Sequence, residues 1–148
     1  MDKPQKVILT NMCQISDGEN ILIEHKTGSS YTGVTFPGGH IEENEPLTDA
    51  IVREVYEETG LTIQNPLMCG IYDWIQEDGT RYFVFLYKAN EFSGALHSSD
   101  EGKVEWIKKT DFLSQPLAHG MEAVFEIINN EHVSECFFEI PMMKETIY

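Results

Sequence analysis

The run Tyr82-Phe83-Val84-Phe85-Leu86-Tyr87 constrains the fold more than any other stretch. Side chains on a strand alternate between the two faces of a sheet, and here both alternating sets are apolar. Such a strand is central and must be covered on both sides. Helical periodicity offers the cover: Met121, Val124, Phe125 and Ile128 recur at i, i+3, i+4 and i+7. A second helical stretch spans 46–59, with Pro46 at a first-turn position and Gly60 just past the end. Further strands are expected at 6–15, 20–25, 32–36, 61–63, 68–74, 81–88 and 103–107, with an edge strand at 136–140. Turn signals stand at Ser16-Asp17-Gly18-Glu19 and Glu77-Asp78-Gly79-Thr80. Because strands and helices interleave, the expected class is α/β (α+β): a mixed sheet packed between helices, in a single domain over 1–148.

Charge narrows the partners. Ten Lys and Arg stand against 25 Asp and Glu, a formal charge of -15. A surface that acidic repels phosphate polymers, which argues against a nucleic-acid-binding module. A phosphorylated substrate then needs a cation between itself and the protein. No apolar run approaches the ~20 residues of a membrane span, and the opening 20 residues lack a signal-peptide plan. Cys13, Cys69 and Cys136 are odd in number and show no C-x-x-C spacing. They fit small buried hydrophobes in a reducing cytoplasm.

The stretch Gly39–Leu61, GHIEENEPLTDAIVREVYEETGL, carries the chemistry. On a helix, Leu47, Ile51, Val52, Val55 and Tyr56 spread over an apolar arc, while Asp49 and Arg53 point away. Glu54, Glu57 and Glu58 follow an i, i+3, i+4 spacing that converges their carboxylates, and Glu58 falls inside the apolar arc. Carboxylates at a helix C-terminus face the negative end of the dipole and repel one another. A compensating cation resolves both penalties. Oxygen donors with no Cys or His at ligand spacing favour Mg²⁺, with Mn²⁺ as a substitute, over zinc. The preceding Phe36-Pro37-Gly38-Gly39 turn lets backbone approach a ligand closely, and a carbonyl there can complete an oxygen cage. Arg53 lies one turn from Glu57 and can reach back to Glu45, orienting carboxylates. Glu42 and Glu43 are expected to be solvated loop acids.

At these residues the sequence resembles the Nudix hydrolase family, whose signature is G-x5-E-x7-R-E-U-x-E-E-x-G-U with U aliphatic. Gly39, Glu45, Arg53, Glu54, Val55, Glu57, Glu58, Gly60 and Leu61 satisfy it without departure. The run Asp100-Glu101-Gly102-Lys103-Val104-Glu105-Trp106 is similar to the MutT-type branch. The resemblance implies a sandwich of helices around a mixed sheet and a Mg²⁺-dependent pyrophosphohydrolase acting on a nucleoside diphosphate linked to another group. By position it implies Glu54, Glu57 and Glu58 as metal ligands, with the Gly38 carbonyl and Glu101 as further ones. Arg53 and Glu45 match the supporting salt bridge, and Glu54 or Glu101 is the general base.

The resemblance further implies a nucleoside triphosphate substrate such as 8-oxo-dGTP. The asparagine that reads the oxidised base in the MutT prototype has no clear counterpart in residues 111–116. ADP-ribose and dinucleoside polyphosphate hydrolases carry marker residues where this chain has Gln76-Glu77-Asp78-Gly79, which disfavours both. The alternatives are another nucleoside diphosphate-X hydrolase and a non-catalytic nucleotide sensor; such sensors typically lose a helix glutamate, and all are present here. A calcium-binding EF-hand would need a D-x-D-x-D-G loop. Phe36, Tyr72, Trp74 and Tyr82 are candidates to stack on a base. His25 and Lys26, ending the second strand, are candidates for phosphate or base. His40 and His119 show no ligand spacing. The expected assembly is a monomer or homodimer.

Overall fold

The computed structural model describes residues 1–28 and 30–148. In chain order it comprises β1 (Val7–Asp17), β2 (Asn20–Thr27), β3 (Thr32–Thr35), α1 (Leu47–Thr59), β4 (Thr62–Gln64), β5 (Leu67–Ile75), β6 (Arg81–Ala89), β7 (Glu91–Ser93) and β8 (Gly102–Lys108). A 3₁₀ turn (Lys109–Ser114), α2 (Met121–Asn129), β9 (Glu135–Glu139) and β10 (Lys144–Ile147) complete it. The mixed sheet runs β10-β9-β5-β6-β1-β2-β3, with β8 also paired to β2. β6 is central, as its two-sided apolar run requires. It is parallel to β1 from Val7↔Arg81 to Ile15↔Ala89 and antiparallel to β5.

β6 divides the core in two. Val84 and Leu86 join Val124, Ile127 and Ile128 of α2 on one face. Tyr87 and Ala89 join Cys13, Ile15 and the α1 residues Ile51 and Val55 on the other. Cys13 and Cys136 are buried and Cys69 half-buried, all free, and burial raises each thiol's pKa. No helix among the described residues is long and apolar enough to cross a membrane.

Three local expectations change. Tyr56 is 57% exposed rather than part of the packed arc of α1. The strand expected at 136–140 is β9, and it is not an edge: β5 flanks it in parallel and β10 covers its other side. β7 and the 3₁₀ turn add regular structure where the sequence reading named no element.

The feature that positions the site is a split in the sheet. β1 and β2 pair only at the base of their hairpin, Ser16↔Ile21 and Asp17↔Asn20. Beyond it β1 stays with β6, while β2 turns to β3 and β8. The edge of β1 freed by this divergence is taken up by the loop before α1. Asn11 and Cys13 N–H groups donate to the Gly39 and Pro37 carbonyls at 2.9 Å, and Ile41 N–H donates to Leu9 at 3.0 Å.

Candidate functional site

That loop explains the double glycine. A Cβ on Gly38 would lie 2.0 Å from the Asn11 carbonyl oxygen, and one on Gly39 would lie 2.3 Å from the Glu54 carboxylate. The glycines therefore let the loop close onto β1 and α1, a requirement of packing that the sequence offered only as room for a ligand. The Gly38 N–H donates to Glu58 Oε1 at 3.3 Å, and the Gly39 N–H to the buried Asn11 Oδ1 at 2.9 Å. The Gly38 carbonyl accepts none of the bonds that tie the loop to β1.

Glu58 shares the buried arc of α1 with Ile51 and Val55 and is 1% exposed. Facing it is Glu24, fully buried on β2. One carboxylate oxygen from each of Glu24, Glu58 and the exposed Glu101 lies within 4.8 Å of the others. Both Glu24 oxygens and Glu58 Oε2 are buried with no hydrogen-bond donor. An uncompensated buried carboxylate costs several kcal/mol, so a proton or a cation belongs here. Burial above all, then Glu24, holds the Glu58 carboxyl far above the ordinary carboxylate range. Lys26 Nζ stands 3.9 Å from Glu24 and 3.7 Å from Glu101, close enough to soften the charge but too far to hydrogen-bond. A set of hard oxygen donors without sulfur or imidazole fits Mg²⁺ or Mn²⁺.

A second acidic group, on the outer side of α1, gathers around one guanidinium. Arg53 bonds Glu45 through Nε at 2.7 Å and Nη2 at 3.0 Å, Glu54 at 2.9 Å, Glu57 at 3.2 Å, and the His40 carbonyl at 2.9 Å. The Glu42 N–H also donates to Glu45 at 3.0 Å. Arg53, and then that N–H, draw the Glu45 carboxyl down to about 2. Glu54 is pushed upward by burial, with Arg53 opposing the shift.

Between the diverging strands lies a cleft of about 350 Å³, whose lining includes the polar group Lys26, Gly38, Glu54 and Glu101 and the aromatic group Tyr31, Phe36 and Tyr82. The helix glutamates do not form one patch: Glu54 faces this cleft, Glu57 stays more than half exposed beside Arg53, and Glu58 turns inward. Lys26, Phe36 and Tyr82 reach the cleft. Phe36 is 1% exposed and stacked on Phe112 with centroids 5.0 Å apart, so it offers a base little surface. Tyr82 stacks on Trp74 at 4.3 Å. His25 does not line the cleft; it pairs with Glu105 at 3.1 Å across the β2–β8 ladder. Gly60 ends α1 in the left-handed region at φ 80°.

Sequence reasoning missed Glu24, Asn11 and Tyr31. Only Glu24 left a usable signal, a lone acid closing the apolar run Ile21-Leu22-Ile23.

Comparison with known proteins identifies the family and the fold. A family model described as the NUDIX domain matches residues 7–126. The chain is 30% identical over 113 residues to the Bacillus subtilis Nudix hydrolase YvcI, covering 73% of this chain and 70% of that one. It is 28% identical over 109 residues to the Escherichia coli phosphatase NudJ, covering 71% of each. The crystal structure of the Bacillus halodurans MutT mutator protein superposes with a TM-score of 0.78 at 27% identity, covering 95% of this chain and 96% of that one.

Proposed function

The chain belongs to the NUDIX family as a hydrolase of MutT type, and from that premise we propose that it is a Mg²⁺-dependent pyrophosphohydrolase of nucleoside triphosphates. The substrate we favour is 8-oxo-dGTP or a related oxidised nucleotide, cleaved to the nucleoside monophosphate and pyrophosphate. The observation that carries this reading is the trio Glu24, Glu58 and Glu101, whose buried members have three oxygens without donors beside a cleft.

In this reading Glu24, Glu58 and Glu101 hold the ion, joined by Glu54, Glu57 and the Gly38 carbonyl. When bound, the ion neutralises phosphate charge and lowers the pKa of water. The protein supplies the rest. Arg53 fixes the orientation of Glu54 and Glu57, and Glu45 fixes Arg53. Glu54 or Glu101 takes the proton of the attacking water at a carboxylate oxygen; burial of Glu54 raises its affinity for that proton. Lys26 offsets negative charge at the phosphate end, and Tyr82 offers the base an aromatic face.

The test is a kcat/KM comparison across 8-oxo-dGTP, ordinary deoxynucleoside triphosphates, ADP-ribose and nucleotide sugars, with pyrophosphate and phosphate release measured separately. Pyrophosphate release from triphosphates is the expected result. Preference for a sugar nucleotide over every triphosphate would overturn the substrate, and nucleotide binding without cleavage would make the protein a sensor.

A further inference from the structure

Next to the aromatic side chains of the cleft, and linked to them by a Tyr31–His119 hydrogen bond, stands a group of polar atoms supplied in part by β10, beyond the span that matches the NUDIX domain. Tyr31, which lines the cleft, donates its hydroxyl to the His119 carbonyl at 3.2 Å. Tyr82, which also lines the cleft, stacks on Trp74, which meets Tyr72 edge-on at 6.0 Å. The Tyr72 hydroxyl donates to Glu145 Oε2 at 2.7 Å and stands 3.4 Å from His119 Nε2. Glu145 and His119 both line a smaller hollow of about 230 Å³ at the start of α2. Tyr72 is 4% exposed, so its hydroxyl fixes Glu145 from beneath.

We propose that Glu145, positioned by Tyr72, selects the base of the substrate, favouring a guanine-type edge over adenine. The inference rests on the reading of the cleft as a nucleotide site. A carboxylate only accepts hydrogen bonds. Tyr72 gives its single proton to Glu145 and so turns lone pairs to its other neighbours, and the His119 carbonyl is likewise an acceptor. The polar face is therefore rich in acceptors. Guanine and its 8-oxo form present two adjacent N–H donors, from N1 and the 2-amino group. Adenine presents one amino group beside the lone pair of N1, which a carboxylate repels. β10 pairs with β9, and its register Glu145↔Phe138 sets where the carboxylate stands.

The experiment measures binding of GMP and AMP by calorimetry in the presence of a chelator, which reads base recognition without the reaction, and kcat and KM for dGTP, 8-oxo-dGTP and dATP with Mg²⁺. The native protein is expected to bind GMP about tenfold tighter than AMP, the scale of one good bidentate contact. Glu145→Gln should bring that ratio close to one and raise KM for guanine nucleotides while leaving kcat unchanged. Tyr72→Phe, which removes the positioning bond, should move KM in the same direction by less, again without a fall in kcat. Thermal melting of both variants controls for folding. An unchanged GMP/AMP ratio in Glu145→Gln, or no guanine preference in the native protein, overturns the assignment of Glu145 and leaves the hydrolase reading standing. A native protein that cleaves no triphosphate yet prefers GMP through Glu145 overturns the hydrolase reading alone.

Discussion

Helix α1 carries two acidic groups that differ in how their charge is met. On its outer side Glu45, Glu54 and Glu57 gather around Arg53 at 2.7–3.2 Å, within reach of water. On its inner side Glu58 meets Glu24 in the core, with Glu101 at the rim, and no guanidinium answers them. In the outer group one guanidinium offsets part of the charge and sets side-chain direction, holding Glu54 and Glu57 in place. The inner group is left with a deficit that an external cation can fill, at the cost of stability when the cation is absent. Proximity of carboxylates alone does not mark the ion's place; the unpaired, buried oxygens do.

The sharpest way to break this comparison is to remove one charge from each group. Glu58→Gln should lower hydrolysis by several orders of magnitude while raising the melting temperature of the metal-free protein, since it removes a buried carboxylate without a donor. Phosphate-release assays and thermal melts check both halves; a destabilised metal-free variant would show that the inner group is satisfied after all. Arg53→Gln should behave oppositely. Loss of the guanidinium should reduce activity about 10–100-fold and stability by about 1–3 kcal/mol, read by steady-state kinetics and urea unfolding.

Acid titration separates the groups further. The Glu45 carboxyl sits at about 2 against an ordinary 4.5, so the unfolded chain binds its proton first as pH falls. Its pairing with Arg53 therefore contributes stability that is complete above 4.5 and is lost as pH drops through about 2. Over that window the native protein should lose more stability than Arg53→Gln, as measured by urea midpoints at successive pH values; parallel curves would deny the pair its role. The smallest effect is expected at Tyr56, which is 57% exposed. Tyr56→Ser should change stability by about 0.5 kcal/mol or less, whereas Ile51→Ala, earlier in the same helix and fully buried, should cost about 2–5 kcal/mol.

The contrast also explains what could be read from the residues alone. The two-sided run of β6, the periodicity of both helices and the turns at Gly18 and Gly79 are local, and the structure places them within a residue or two of expectation. Tyr56 misled because an apolar arc on a helix wheel is wider than the face its neighbours cover. β10 escaped notice because Lys144-Glu145-Thr146-Ile147 has little pattern of its own and becomes a strand only by pairing with β9. At the site, Arg53 and Glu45 were legible because their spacing is helical and near in sequence. Glu24 was not, since its partner Glu58 lies 34 residues away on a different element and only the packing of β2 against α1 brings them together. The helix spacing suggested one converged trio, whereas burial turns Glu58 one way and Arg53 holds Glu54 and Glu57 another.

Calorimetric titration of Mn²⁺ or Mg²⁺ into the native protein and into the double variant Glu24→Gln, Glu58→Gln decides whether the buried carboxylates hold the ion. The native protein should take up the ion with a measurable heat, and the double variant should show none at the same concentrations while remaining folded by circular dichroism. Equal uptake by the folded double variant would place the ion elsewhere and contradict the account.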